Sequence, residues 1–204
     1  AGIRVAVLDS GIQADHEDLP ALAGGHTTLE DSAWDADENG HGTHIAGIIS
    51  ALDNGIGVVG AAPAAELYSV KVLDREGDGW TSDIIEGIQW AVYHDIHIIS
   101  MSIGTTAENQ ALEDACDAAY AAGHLLIAAA GNNGNEEDKS INYPAAISSV
   151  IAVGATDNSD QRASFSAIGP ELELMAPGQD ILSTYPAALQ AEAYKTISGT
   201  SMAT

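Results

Sequence analysis

The sequence predicts an α/β fold with three layers, in which a mainly parallel, doubly wound sheet has helices on both faces. The first observation is a series of short apolar runs, each ended by Gly, Asp or Pro, which is typical of buried strands. The second is that these runs alternate with segments of helical periodicity, as right-handed crossovers between parallel strands require. Strands are predicted over residues 3–8, 67–72, 96–101, 125–129 and 150–153.

The helical periodicity predicts helices over residues 43–51, 82–94 and 110–122. Ser82 and Asp83 are suited to the N-cap and the first turn of the second helix, and Gly123 to the end of the third. In open parallel sheets, ligands bind beyond the carboxyl ends of the strands. We therefore expect functional residues directly after the apolar runs, where the sequence has Asp9, Ser102 and Asn132.

Length and composition indicate one globular domain that spans residues 1–204, since 46% of the residues are hydrophobic. No apolar run reaches the roughly 18 residues that a membrane span needs, and the N-terminus lacks the pattern of a signal peptide. We therefore expect no membrane partner.

The chain is strongly acidic, with 30 Asp and Glu against 6 Lys and Arg and a formal net charge of −24. Nucleic acids and anionic membranes are poor partners for such a surface. Two explanations of the charge stay open. One is a highly soluble acidic protein, and the other is adaptation to high salt, where a Debye length of about 3 Å screens self-repulsion.

Cys116 is the only cysteine, so the chain has no internal disulfide. It lies at helical spacing from Leu112, Ala115 and Ala119, which predicts a thiol on the apolar face of a helix. No positive charge is adjacent in sequence to lower its pKa, so a structural role is favoured over a nucleophilic one.

Three stretches contain candidate groups for chemistry. Ser201 follows Gly199 among small residues, where a turn could expose its hydroxyl. His41 opens a predicted helix, and an alternative pairs it with His44 as metal ligands. Asn132 follows a strand of small residues and offers an amide donor, with a simple Asn-Gly turn as the alternative.

Four motifs in order resemble the subtilisin family of serine proteases: DSG at 9–11, HGTHIAG at 41–47, AAAGN at 128–132 and GTSMA at 199–203. The resemblance continues through SMSIG at 100–104, YPAAISSVIAVGA at 143–155 and RASFS at 162–166. It implies a serine endopeptidase in which Asp9 orients His41, His41 is the general base and acid, and Ser201 is the nucleophile. Asn132 and the backbone N–H of Ser201 would form the oxyanion hole.

The resemblance also implies where a peptide substrate binds. It would lie as an added strand between two segments, which are Gly77, Asp78 and Gly79, and Ser102, Ile103 and Gly104. The second segment would share the walls of the main specificity pocket with Ala129, Ala130 and Gly131. These small residues leave room for a large apolar or aromatic side chain, and a further hypothesis is that Asp78 and the general acidity favour basic residues nearby.

A structural calcium ion is implied by residues 52–58, which resemble the family's high-affinity loop. By this resemblance the ligands are Leu52, Asn54, Ile56, Val58 and the side chain of Asp18. A second, weaker cation site is expected near Ala145, Ile147 and Val150.

The resemblance implies protein or peptide substrates, an inhibitory propeptide during maturation, a monomer, and secretion, with an acidic intracellular relative as the alternative. Against the family pattern, the sequence begins almost on its first core strand and ends three residues after Ser201. We therefore expect a catalytic domain without its N-terminal arm and without the helices after the nucleophile. The alternatives are an incompetent truncated fragment, a peptide-binding remnant, or a metallohydrolase using His41 and His44.

Overall fold

The computed structural model describes residues 2–204 and contains nine strands and four helices in that range. The strands are β1 (Arg4–Asp9), β2 (Gly24–Thr27), β3 (Glu66–Lys71), β4 (Ile98–Met101), β5 (Leu125–Ala129), β6 (Val150–Thr156), β7 (Leu172–Pro177), β8 (Ile181–Thr184) and β9 (Tyr194–Ile197). The helices are α1 (His41–Ser50), α2 (Thr81–Tyr93), α3 (Gln110–Ala121) and α4 (Thr200–Ala203). None of these helices is both long and apolar enough to cross a membrane.

Seven strands hydrogen-bond in the order β2-β3-β1-β4-β5-β6-β7, and β8 pairs with β9 in a separate sheet. The β1–β3, β2–β3, β5–β6 and β6–β7 pairs are parallel. In β1 every residue after Arg4 is buried, so both faces of this strand are covered. The α/β fold with a mainly parallel sheet is therefore confirmed.

The chain divides into two compact units. The first contains the described residues up to Ile99 together with Leu182–Thr196. In this unit α1 packs against β1, and α2 packs against β1 and β2. Strand β3 aligns with β1 from the Arg4–Glu66 pair to the Asp9–Lys71 pair, which places Asp9 at the carboxyl end of β1.

The second unit contains Ser100–Ile181 and Ile197–Thr204. Here α3 packs against β5, and the short α4 packs against β5, β6 and β7. That one domain spans residues 1–204 stays a prediction.

Two helix starts differ from the predictions. Helix α1 begins at His41, two residues earlier than predicted, after Gly40 in the left-handed conformation. The expected N-cap at Ser82 is wrong, because α2 begins at Thr81 and Trp80 occupies the cap position. The carboxylate of Asp83 accepts the Trp80 N–H at 3.3 Å, so the first-turn acid is where the sequence predicts it.

The predicted apolar face of α3 is confirmed, since Leu112, Cys116 and Ala119 are its buried residues. Burial raises the pKa of the Cys116 thiol to about 12, and the charges of Asp117 and Glu113 add to this. Gly123 follows α3 with φ +97°, a conformation that glycine adopts readily.

Candidate active site

Asp9 and His41 form a hydrogen-bonded pair in the first unit. Asp9 is the last residue of β1, and His41 is the first residue of α1. Nδ1 of His41 lies 2.8 Å from both Oδ1 and Oδ2 of Asp9. An ionised carboxylate only accepts hydrogen bonds, so Nδ1 carries the proton and Nε2 is left as the basic nitrogen.

The electrostatics of this pair favour the imidazolium form of His41. The Asp9 side chain is fully buried, whereas that of His41 is 26% exposed. Burial lowers the pKa of His41, but the charge of Asp9 and its hydrogen bond outweigh burial and raise the pKa above its ordinary value of 6.5. Asp9 thus fixes the tautomer of His41 and stabilises the protonated ring.

Gly42 allows α1 to approach the end of β1 this closely. A Cβ atom at Gly42 would lie 2.1 Å from the carbonyl oxygen of Gly11 and 3.1 Å from Cβ of Asp9. Any larger residue would push the first turn of α1 away from Asp9. The small residue after His41 is therefore part of what sets the distance between the two side chains.

Ser201 lies on α4 in the second unit, directly beside the predicted substrate segment. Its Oγ donates to the carbonyl oxygen of Ser102 at 3.1 Å, and Oγ of Ser102 donates to the carbonyl oxygen of Ser201 at 3.0 Å. The structure thus brings the predicted nucleophile and the first residue of that segment into mutual contact.

The orientation of the Asn132 amide follows from its partners. Its Oδ1 accepts the backbone N–H of Thr200 at 2.9 Å and the Thr200 hydroxyl at 3.0 Å. Because two donors converge on the oxygen, the NH₂ group must point away from Thr200. This leaves Nδ2 as a donor on a residue that lines the same cavity as Ser201.

A cavity of about 340 Å³ adjoins Ser201 in the second unit. The predicted site residues that line it are Ser102, Ile103, Gly104, Ala129, Gly131, Asn132 and Ser201. Ala130 is fully buried and does not line the cavity. Further polar residues that were not predicted as site residues also line it: Thr106, Asn133, Glu136, Asn142 and Thr200. The pocket is therefore more polar than the small-residue motif alone indicates.

Gly77, Asp78 and Gly79 belong to the first unit and form an exposed turn before α2. The carboxylate of Asp74 accepts the Asp78 N–H at 3.0 Å, and the Asp78 carbonyl accepts the Asp74 N–H at 2.8 Å. The Asp78 side chain is exposed beside this turn.

Residues 52–58 form a loop anchored on Asp18. The Asp18 carbonyl accepts the Leu52 N–H at 2.9 Å, and its Oδ2 accepts the Val58 N–H at 3.0 Å. Asp18 is fully buried, and within residues 2–204 its Oδ1 has no hydrogen-bond partner. A buried carboxylate oxygen without a donor, beside a loop rich in carbonyl groups, fits a hard cation. The second cation site near Ala145, Ile147 and Val150 stays a prediction.

The alternative metal pair receives no support from the geometry. His41 uses Nδ1 for Asp9, whereas Nε2 of His44 lies 3.0 Å from the carbonyl oxygen of Lys195. In the part of the chain that the structure describes, no group of three or more His, Cys, Asp or Glu residues could hold a metal ion.

Comparison with known proteins indicates the same family as the sequence motifs. The sequence profile described as "Subtilase family" matches residues 1–204. The chain is 51% identical over 203 residues to "Thermostable alkaline protease" of Halalkalibacterium halodurans, covering 100% of this chain and 54% of that protein. It is 47% identical over 204 residues to "Subtilisin DY" of Bacillus licheniformis, covering 100% of this chain and 73% of that protein. It is 48% identical over 202 residues to "Minor extracellular protease Epr" of Bacillus subtilis, covering 99% of this chain and 30% of that protein. The chain thus spans only part of each relative.

Proposed function

Because this chain belongs to the subtilase family, we propose that it is the catalytic part of a serine endopeptidase with Asp9, His41 and Ser201 as its triad. The observation that carries the proposal is the Asp9–His41 pair, which leaves Nε2 as the base. The position of Ser201 on a cavity beside the Asn132 amide supports the role of nucleophile.

In the proposed reaction, Nε2 of His41 takes the proton from Ser201 as Oγ attacks the substrate carbonyl carbon. The new oxyanion accepts hydrogen bonds from Nδ2 of Asn132 and the N–H of Ser201. His41 then returns the proton to the leaving amine, the C–N bond breaks, and an acyl-enzyme remains. Nε2 of His41 then takes a proton from a water molecule as the water oxygen attacks the acyl carbon. It returns the proton to Oγ of Ser201 as the C–O bond of the acyl-enzyme breaks and the acid is released.

We propose proteins and peptides as substrates, bound in extended form along residues 77–79 and 102–104. Asn133, Glu136 and Asn142 line the cavity next to Ser201. The carboxylates of Glu136 and Asp78 favour basic residues over the large apolar side chain expected from the small-residue motif alone. Indifference of a peptide library to Lys and Arg at every subsite would contradict this preference.

The proposed activity is tested with the protein as its gene encodes it. This protein is incubated with a denatured protein as substrate, and the resulting peptides are identified by mass analysis. Ser201→Ala should abolish cleavage. The matched control is Ser198→Ala, since Oγ of Ser198 contacts Asp180 and not the cavity. Equal cleavage by wild-type protein and Ser201→Ala would refute the proposal.

We also propose a structural calcium ion at the loop of residues 52–58. Asp18 would hold it through its side chain, Leu52, Ile56 and Val58 through carbonyl oxygens, and Asn54 through its amide oxygen. A ligand at 100 times its Kd stabilises a fold by about 2.7 kcal/mol. Calcium should therefore raise the thermal midpoint of unfolding of the wild type and of Asp53→Asn, and should not raise that of Asp18→Asn. An equal rise in all three proteins would place the ion elsewhere.

Secretion, an inhibitory propeptide and a monomeric state complete the proposal. The name of the extracellular protease of Bacillus subtilis supports secretion, and the family resemblance supports a propeptide. The net charge of −24 supports adaptation to high salt. That last proposal fails if the fold is as stable in dilute buffer with calcium as it is in molar salt.

A further inference from the structure

Asp37 is a buried carboxylate at the start of α1. It is 3% exposed and accepts five hydrogen bonds. Its Oδ1 accepts from the Ser10 hydroxyl at 2.9 Å and from the N–H groups of Asn39 and Gly40 at 3.1 and 2.8 Å. Its Oδ2 accepts from the N–H and the hydroxyl of Thr43 at 2.9 and 2.6 Å.

These bonds favour the ionised form of Asp37. The pKa of Asp37 lies above its ordinary value, because burial raises it more than the hydrogen bonds from Thr43, Gly40 and Ser10 lower it. Three of the five donors are backbone N–H groups, which cannot accept a hydrogen bond, so the network stabilises the ionised carboxylate. The network therefore holds a negative charge at the first turn of α1.

The same carboxylate joins the two segments that bear Asp9 and His41. Ser10 donates its hydroxyl to Asp37, accepts the N–H of Gly42, and donates its own N–H to Asp9. Asn39 and Gly40 precede His41 directly, and Thr43 follows two residues after it. Asp37 thus contacts the chain on both sides of His41 and the residue next to Asp9.

We propose that Asp37 is a positioning residue, which holds the start of α1 against the end of β1 and so sets the contact between His41 and Asp9. This inference rests on the proposed function, because it concerns the acid–base pair of that reaction. Within residues 2–204 the hydrogen-bond partners of Asp37 are Ser10, Asn39, Gly40 and Thr43, so it acts through Ser10 and the first turn of α1.

Asp37 also acts on His41 through its charge. The charged groups beside the start of α1 include Asp9, Asp37, Glu38 and the buried Lys71. Nζ of Lys71 donates to the carbonyl oxygen of Ser10 and to the Glu38 carboxylate, both at 2.6 Å. The charge of Asp37 adds to that of Asp9 in raising the pKa of His41. Removing it should move the titration of His41 to lower pH.

The test is Asp37→Asn, whose NH₂ group must face one of the donors of the network. We expect kcat/KM to fall about 100-fold, the size of effect produced by a misplacement of about 1 Å. The acid limb of the kcat/KM profile should shift to lower pH. The matched control is Asp157→Asn, since Asp157 accepts N–H bonds from Ser159 and Gln161 in an exposed turn of the second unit. Wild-type kcat/KM, or a loss without any shift of the acid limb, would overturn the proposal.

Two further measurements keep the proposal testable if Asp37→Asn folds poorly or the protein proves inactive. Ser10→Ala removes the link to Asp9 but keeps the charge, so kcat/KM should fall about fivefold, the value of one hydrogen bond, with an unchanged acid limb. NMR titration of His41 in a Ser201→Ala background needs no turnover. There Asp37→Asn should lower the midpoint of His41, and an unchanged midpoint would overturn the role of Asp37 independently of the proposed activity.

Discussion

Gly47 lies in α1 against strand β8, where two opposing effects predict opposite outcomes for Gly47→Ala. Alanine in place of a mid-helix glycine stabilises a helix by about 0.5–1 kcal/mol. The added Cβ, however, would lie 2.3 Å from Oγ1 of Thr184 and 2.4 Å from Oγ of Ser183. Both side chains are fully buried, so neither hydroxyl can move aside into solvent.

The two hydroxyls donate to carbonyl groups of α1. Thr184 donates to the carbonyl of Thr43 at 2.7 Å, and Ser183 to that of His44 at 2.8 Å. Leaving a buried polar group unpaired costs about 1–3 kcal/mol, so two lost bonds cost about 2–6 kcal/mol. After the gain in helix propensity, Gly47→Ala should destabilise the fold by about 1–5 kcal/mol.

Urea unfolding in a Ser201→Ala background measures this without self-digestion. The control introduces Gly47→Ala together with Ser183→Ala and Thr184→Ala, which removes both hydroxyls and makes room for the new methyl group. In that background Gly47→Ala should cost far less than in the intact protein, because contacting residues are energetically coupled. Stabilisation by about 1 kcal/mol in the intact protein would refute the reasoning.

Four further predictions concern the site and the core. Asn132→Asp keeps the acceptor for Thr200 but loses the amide donor. We expect kcat to fall about 10²–10³-fold with KM little changed, a magnitude taken over from subtilisin itself. A loss of kcat below tenfold would exclude the oxyanion role. Because only neutral His41 accepts a proton and its pKa is raised, kcat/KM should increase with pH through a midpoint above 6.5, and Asp9→Asn should lower that midpoint. The same raised pKa links the free energy of unfolding to pH. The contribution of protonated His41 to that free energy is fully present below pH 6.5 and is lost as pH rises through the raised pKa, and urea unfolding at several pH values measures it. Cys116, with a pKa of about 12, should resist a thiol reagent at pH 8 until urea is added, and rapid native labelling would contradict its burial.

The sequence predicts the central strands better than the edge strands, for a physical reason. β1 and β5 are continuous apolar runs because their neighbours cover them, and their predicted ranges agree closely with the structure. β2 and β7 lie at the two edges of the sheet, and neither contains a fully buried residue. Edge strands lack the apolar run on which the prediction depended, so both were missed.

The candidate site shows the same division between local and tertiary information. The motifs around Asp9 and His41 predict a contact that the structure contains at 2.8 Å. Asp37 was missed because its role depends on a bond to Ser10, 27 residues earlier in the chain. The available signal was an acid four residues before His41. Asn142 was missed for a similar reason, since no local pattern indicates that it lines the cavity beside Ser201.

The central claim is that Ser201 is a nucleophile activated by His41, and a fluorophosphonate probe tests it most directly. Applied to the protein as its gene encodes it, the probe should add one phosphonyl group, found by peptide mass analysis on Ser201. His41→Ala should slow the labelling strongly, whereas Ser198→Ala should leave it unchanged. Absence of a Ser201 adduct in the folded wild type, or equal labelling with and without His41, would contradict the claim.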